Sequence, residues 1–262
     1  MLPLTTKPIS MIKSWNFWRE VTGQDNFLDI HLSVNEFGYC KYCDNRGSIN
    51  QKGVGIIRCI CDLKYHESRY MYVKSLLESI HQEAKFDDFR EWGDNEATRT
   101  QSKHLRDSVI EWTDNASNWL VIQGNNGCGK SHLLSAINNS FTPWTLYLSM
   151  TDLEGMYFES LNNDSEGMNF QMLIDTISRH PILLLDDIGS DQGKDFAKSA
   201  TRKIIDFRYR MYSEFPTVIA TNYAEQDLRA YDRRIGDRVF DKTNNTIIRT
   251  PLKSYRTFGG VE

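Results

Sequence analysis

The sequence predicts an α/β fold in which a mostly parallel sheet, flanked by helices, carries a P-loop and is preceded by a small zinc-binding domain. Three observations lead there. Beyond about residue 84, short apolar runs alternate with amphipathic stretches, the pattern of buried parallel strands separated by crossover helices. One of those runs leads directly into Gly124 to Ser131, an octet with the spacing G-x-x-x-x-G-K-S/T. Ahead of residue 84, four of the five cysteines fall between positions 40 and 61.

Taken in order, residues 1 to about 35 have no steady period, although Trp15, Phe17 and Trp18 lie close together. Cys40 to Cys61 is a block punctuated by Gly47, Gly53 and Gly55. From His66 to Ala84, the residues Tyr70, Val73, Leu76, Leu77 and Ile80 recur at helical spacing. The polar stretch Gly93 to Thr100 predicts a loop entering the next domain. The expected division is therefore 1–83 for a small zinc-binding domain and 84–262 for the nucleotide-binding domain. Strands are expected at Trp119 to Gln123, Thr145 to Ser149, Ile182 to Leu185, Thr217 to Ala220 and Thr246 to Ile248, with helices in the gaps. In such a sheet the ligand site lies at the carboxyl ends of the strands.

A length of 262 residues suits one α/β domain of ordinary size and a smaller appendage. With 40% hydrophobic and 25% charged residues, the chain has the balance of a soluble globular protein. Its apolar runs fall far short of the roughly 20 residues needed to cross a bilayer, and no signal-peptide core is present at the N-terminus. The cysteines are not spread as a secreted disulfide framework, so a cytoplasmic protein without a membrane partner is expected. The formal net charge of −4 means that any DNA contact needs a local basic stripe. Lys198, Arg202, Lys203, Arg208 and Arg210, and the run Arg229 to Arg238, are the basic concentrations, with Tyr209 or Tyr212 available for base stacking. A solvated helix face accounts for the same residues.

Gly124, Asn125, Asn126, Gly127, Cys128, Gly129, Lys130 and Ser131 follow an apolar strand and open a helix expected over Ser131 to Ile137, as a phosphate-binding loop requires. The glycines allow the backbone N–H groups to surround a β-phosphate, and Lys130 adds a positive charge toward the β and γ oxygens of ATP. Ser131 is the candidate Mg²⁺ ligand, and His132 continues the nucleotide-contacting turn. Cys128 contributes its backbone, leaving its thiol as a handle for alkylation. Downstream, Pro181 to Leu185 ends in Asp186 and Asp187, a strand-end pair in which Asp186 serves Mg²⁺ and Asp187 polarises the attacking water. Capping of the next helix is the competing reading of that pair. The next strand ends in Thr221 and Asn222, so that Asn222 orients the water or, in the simpler reading, forms a turn.

The spacing Cys40-x2-Cys43-x15-Cys59-x-Cys61 supplies four thiolates for tetrahedral Zn²⁺. The single residue between Cys59 and Cys61 is atypical, which leaves His66 or His31 as possible replacements, and cysteines of a small core as the alternative. In an appendage with so few core residues, the metal would supply much of the folding free energy and be structural.

With the loop, the Asp pair and the Thr-Asn strand in order, residues 84 onward resemble an AAA+ ATPase of the DnaC and DnaI helicase-loader group with its IstB relatives. The more specific signatures are Ile204 to Tyr209, Ala220 to Asn222, Ile235 to Asp241 and Ser254 to Arg256. The resemblance implies a AAA+ core with little or no lid. It also implies a sensor arginine at Arg256, an arginine finger on the helix around Arg238, and a catalytic set of Lys130, Asp187, Asn222, Arg238 and Arg256. Group members usually carry a second arginine where this chain has Lys242, which lacks the planar fork suited to a transferring phosphoryl group. Arg238, Arg234 and Lys242 are thus all finger candidates, and Arg233, Arg234 and Arg238 can equally form a solvated or DNA-facing surface. The implied activity is ATP-dependent loading of a hexameric replicative helicase onto single-stranded DNA, by a homo-oligomer when ATP-bound. An N-terminal zinc-bearing domain would grip the helicase, as in DnaI-type loaders. A transposition helper of the IstB or TnsC kind, acting on duplex DNA, is the alternative. A nucleotide-binding adaptor with negligible turnover is a third class.

Overall fold

A computed structural model of the chain describes residues 20, 40–44, 46, 48–52, 55–61, 73, 84–93, 95–114, 116, 118–141, 145–162, 169–190, 195–250 and 253–255. Trp15, Phe17, Trp18, His31, His66, most of the helix expected over 66–84, and Arg256 lie outside the described residues. The chain divides into two compact units, Leu4–Leu76 and Leu77–Glu262 with Met1–Pro3, so the division falls ahead of the expected residue 84.

In the smaller unit, strands β1 (Ser48–Gln51) and β2 (Gly55–Arg58) form an antiparallel hairpin with Ser48 opposite Arg58 and Gln51 opposite Gly55. Alternation is visible on β2, where Ile57 is buried and Ile56 is exposed. The hairpin holds the two halves of the cysteine block together.

The first described elements of the larger unit are a 3₁₀ turn (Phe86–Asp88) and helix α1 (Glu96–Asp114). The segment Gly93 to Thr100, expected as a loop, turns into that helix after three residues. Asn95 Oδ1 accepts from the Thr98 N–H at 3.0 Å, while Thr98 Oγ1 accepts from the Asn95 N–H at 3.2 Å. This reciprocal cap starts a helix whose first large apolar residue is Leu105, so no hydrophobic period announces its beginning. Strand β3 (Trp119–Gly124) feeds α2 (Lys130–Phe141), followed by β4 (Thr145–Ser149), α3 (Met150–Asn162), α4 (Phe170–Ser178), β5 (Ile182–Asp186), α5 (Asp195–Arg210), β6 (Thr217–Thr221), α6 (Glu225–Tyr231), α7 (Arg233–Val239) and β7 (Asn245–Thr250).

The sheet runs β4-β5-β6-β3-β7 and every pairing is parallel. Strands β5 and β6 are buried at every position, which is why they read as unbroken apolar runs. At the edge, β7 mixes buried Asn245, Ile248 and Thr250 with exposed Thr246 and Arg249. The core is centred on Trp119, Leu120, Ile122, Leu133, Leu134 and Ile137, each under 2% exposed. No helix among the described residues is long and apolar enough to cross a membrane.

At the amino ends of β5 and β6 sits a fully buried arginine. Arg208 donates to the carbonyls of Ser178 (3.1 Å), His180 (2.7 Å) and Pro216 (2.7 Å) and to Thr217 Oγ1 (2.8 Å). The α5 stripe read from the sequence as a basic face is therefore broken. Arg208 points into the core, Arg202 is paired with Asp232, and Lys203 donates to Gln171 at 2.9 Å.

Candidate active site

The strand order places β6 between β3 and β5, so the residues that follow three adjacent strands meet at one edge of the sheet. The phosphate loop follows β3, the acidic pair closes β5, and Asn222 follows β6. Lys130, only 5% exposed, donates to the carbonyls of Gly124 and Asn125 at 2.9 Å each and to Asn222 Oδ1 at 2.5 Å. The other end of that amide donates to Asp187 Oδ1 at 3.1 Å. Asn222 thus bridges the loop's cation and the strand-end acid, residues that lie more than fifty positions apart in sequence.

The loop itself needs glycine at two points. Gly127 and Gly129 have φ of 77° and 90°, in the left-handed region. A Cβ on Gly129 would lie 2.6 Å from the Phe89 ring, and one on Gly127 would lie 2.1 Å from Ser254 Oγ. The Cys128 thiol, expected as an alkylation handle, is fully buried instead, and burial raises its pKa.

Asp186 is 4% exposed and receives two donors: the Asp187 N–H on Oδ1 at 3.0 Å and the Tyr147 hydroxyl on Oδ2. Asp187 has φ of 56°, which turns it off the strand axis toward Asn222. Burial raises the Asp187 pKa, the neighbouring Asp186 charge raises it further, and Lys130 and Asn222 oppose both. Burial, followed by the Asp186 charge, also raises the pKa of Tyr147 and keeps its hydroxyl a donor.

A cavity of about 620 Å³ opens over the loop, within the size range of small-molecule sites. Beside Lys130, Ser131, His132 and Asp187, its wall includes residues absent from the sequence-based site: Asp88, Phe89, Arg90, Trp92 and Tyr255. Phe89 packs against Trp92 at 5.4 Å and against His132 at 5.9 Å, and Trp92 meets Tyr255 edge-on at 5.5 Å. The Tyr255 N–H donates to the Gly127 carbonyl at 2.8 Å, which ties the tail to the phosphate loop. The aromatic spacing Phe86, Phe89, Trp92 was a usable signal in the sequence, though only folding brings it against Gly129.

The arginine candidates are not gathered with these residues. Arg238 is paired with Asp206 and lies over the Tyr209 ring at 5.5 Å. Arg234 reaches the same Asp206 at 3.3 Å with a largely exposed side chain, and Arg233 approaches Asp237 at 3.7 Å. Lys242 is exposed.

In the smaller unit, Cys40, Cys43, Cys59 and Cys61 converge, with all four sulfurs within 4.8 Å of one another. Cys40 and Cys59 are 3.7 Å apart and Cys43 and Cys61 are 3.5 Å apart, close to the ~3.8 Å edge of a tetrahedron with Zn–S bonds of about 2.3 Å. The Asp44 N–H donates to the Cys40 carbonyl at 2.8 Å, with Asp44 at φ 49°, and this tight turn presents the first pair. Burial, reinforced by the neighbouring thiols, pushes Cys61 up to about 12 and raises Cys59 as well. Such thiols stay neutral unless a cation stabilises their thiolates. The set is compatible with a zinc site, and it includes both members of the atypical Cys59-x-Cys61 arm.

Residues 80–239, more than half of the chain, match the bacterial DnaA ATPase domain. The chain belongs to the DnaA ATPase-domain family. Among curated relatives, it is similar to the replicative helicase loader DnaC of Escherichia coli K12, at 24% identity over 198 residues that cover 73% of this chain and 77% of DnaC. It is also similar to the replicative helicase loader DnaI of Bacillus subtilis 168, at 22% identity over 185 residues, covering 69% of this chain and 59% of DnaI. A solved structure of the replication initiator DnaA bound to AMPPCP and single-stranded DNA has a TM-score of 0.53 at 20% identity, covering 67% of this chain and 52% of that one. The chain thus spans about half the length of that DnaA structure. The DnaA-family core is a AAA+ ATP-binding fold, and the resemblance to DnaC and DnaI drawn from the motifs is met by both relatives.

Proposed function

We propose that this chain is an ATP-hydrolysing loader that places a replicative helicase on single-stranded DNA. The observation that carries the enzymatic half is the Lys130–Asn222–Asp187 bridge at 2.5 and 3.1 Å, in which one amide couples a cation and an acid that both line the cavity. In this reading the backbone of Gly124 to Lys130 receives the phosphates and Lys130 offsets their charge. Asp187 accepts the proton of the attacking water, and Asn222 fixes the direction of that acceptance. Burial and the Asp186 charge raise the Asp187 pKa, which makes this residue a stronger base than an ordinary aspartate. Ser131 and the buried Asp186 form an all-oxygen pair suited to Mg²⁺, which would neutralise charge developing on the phosphates. The rings of Phe89, Trp92 and Tyr255 fit the nucleoside end of the ligand.

The four cysteines fit a structural Zn²⁺ that orders the smaller unit, in which we place helicase docking. Similarity to two helicase loaders over about seven-tenths of the chain supports the loading half of the proposal. Arg234 is the finger candidate best suited to reach a neighbouring subunit, since Arg238 is held by Asp206 and Tyr209. Arg256 remains the proposed sensor arginine through its motif.

ATP turnover of the zinc-loaded protein, measured without DNA, with single strands and with duplex, tests the proposal, with Lys130→Ala as the blank. Stimulation by single strands, together with capture of a hexameric replicative helicase, is the expected outcome. Stimulation by duplex alone would replace the loader with the transposition helper, and absence of turnover in every arm would leave a binding adaptor.

A further inference from the structure

Tyr147 stands in the middle of strand β4, between Leu146 and Leu148, yet its hydroxyl donates to Asp186 Oδ2. The register explains the reach. Tyr147 is opposite Leu184 and Ser149 is opposite Asp186, so Tyr147 and Asp186 are diagonal neighbours on one face, a separation that a long aromatic side chain spans. Asp186 is 4% exposed, and its other oxygen is occupied by the Asp187 N–H at 3.0 Å. Each carboxylate oxygen therefore keeps one acceptor site free while the plane of the carboxylate is fixed by two donors on opposite sides. Without the hydroxyl, only the backbone donor would remain, and the carboxylate could rotate about its last torsion.

We propose that Tyr147 is a positioning residue for Mg²⁺: its hydroxyl locks the Asp186 carboxylate, so that this oxygen ligand faces the cation without rearrangement. This rests on the assignment of Ser131 and Asp186 to Mg²⁺ made above. The phenol makes no contact with the reacting phosphate in this account. It acts through Asp186, as hydrogen-bonding partners of metal ligands generally do when they hold a ligand in its binding orientation.

Tyr147→Phe removes the hydroxyl and keeps the ring that fills the space beside β5. The probe is a fluorescent, non-hydrolysable ATP analogue bound to the full zinc-loaded chain while magnesium chloride is titrated, with Asp186→Asn in parallel. The expected result is an increase of about 10-fold in the half-saturating Mg²⁺ for Tyr147→Phe, with Mg²⁺-free analogue affinity at the wild-type value. A Mg²⁺ requirement equal to wild type in Tyr147→Phe, while Asp186→Asn loses its Mg²⁺ response, overturns the role of Tyr147 alone. A parallel fall in Mg²⁺-free affinity also overturns it, because the hydroxyl would then support the loop rather than the metal ligand. If Asp186→Asn itself retains the wild-type response, the Mg²⁺ assignment of Asp186 falls and the positioning role falls with it.

Discussion

Arg208→Ala separates a core role from a DNA-binding role for the α5 cations. The wild-type guanidinium serves four acceptors, all buried. Removing it leaves the carbonyls of Ser178 and His180 without that donor, at about 1–3 kcal/mol each. The Pro216 carbonyl still receives the Leu183 N–H at 3.3 Å, and the Thr217 hydroxyl still donates to the Phe215 carbonyl at 3.0 Å, so these two add less. The cavity left beside Phe215, whose ring lies 5.3 Å from the guanidinium carbon, adds roughly another kcal/mol. The sum is about 5 kcal/mol, which for a domain of this size lowers the thermal midpoint by about 10–20 °C. Differential scanning calorimetry on the zinc-loaded chain measures it. Nucleotide affinity at low temperature should hold, because the length of β5 and β6, roughly 16 Å, separates Arg208 from the strand ends that carry Asp186 and Asn222. A midpoint within about 2 °C of wild type, combined with weakened single-strand binding, would refute the core assignment and restore Arg208 to a DNA-facing stripe.

Asn222→Ala is expected to lower ATP turnover by about 100-fold while nucleotide affinity stays within a few-fold, read from steady-state rates and analogue binding; an equal loss of both would make the amide a binding group. Asp187 is raised by burial and by Asp186, and it works as a base only when deprotonated. Turnover should therefore decline as pH falls through that raised value, at higher pH than an ordinary aspartate would give, and Asp187→Asn should abolish the rate. A rate that holds steady down to about pH 4, where unperturbed aspartate protonates, would contradict that role. Zinc analysis of the purified chain should find about one Zn²⁺ per chain. Cys43→Ala should abolish it and weaken helicase capture, with ATP-analogue binding retained because the nucleotide site lies in the other unit. Retention of metal in that variant would remove Cys43 from the ligand set.

Much of the architecture was legible because its signals are local. The strands at Trp119, Thr145, Ile182 and Thr217 are short apolar runs, and their expected limits differ from the observed ones by a residue at most. The phosphate loop was legible because its glycines answer a backbone demand, a left-handed φ at Gly127 and Gly129, that few other residues meet. The cysteine spacing carried the thiol cluster, including its irregular Cys59-x-Cys61 arm, although not the pairing of Cys40 with Cys59 and of Cys43 with Cys61 across the hairpin. Helix α1 was hidden where a polar cap rather than a hydrophobic period starts it. The basic stripe misled because a one-dimensional list of cations does not say which of them faces the core.

What the sequence determined by itself was therefore the class of sheet, the loop for the phosphates, the acids at a strand end and the four thiols, since each is written in neighbouring residues. The tertiary structure decided which strands lie side by side. Only the order β5-β6-β3 sets Asn222 between Lys130 and Asp187, and only the register of β4 on β5 carries Tyr147 to Asp186. Those contacts join residues separated by 35 to 92 positions. They depend on how parallel strands stack after their crossovers, a free-energy balance over the whole sheet that no short window of sequence contains.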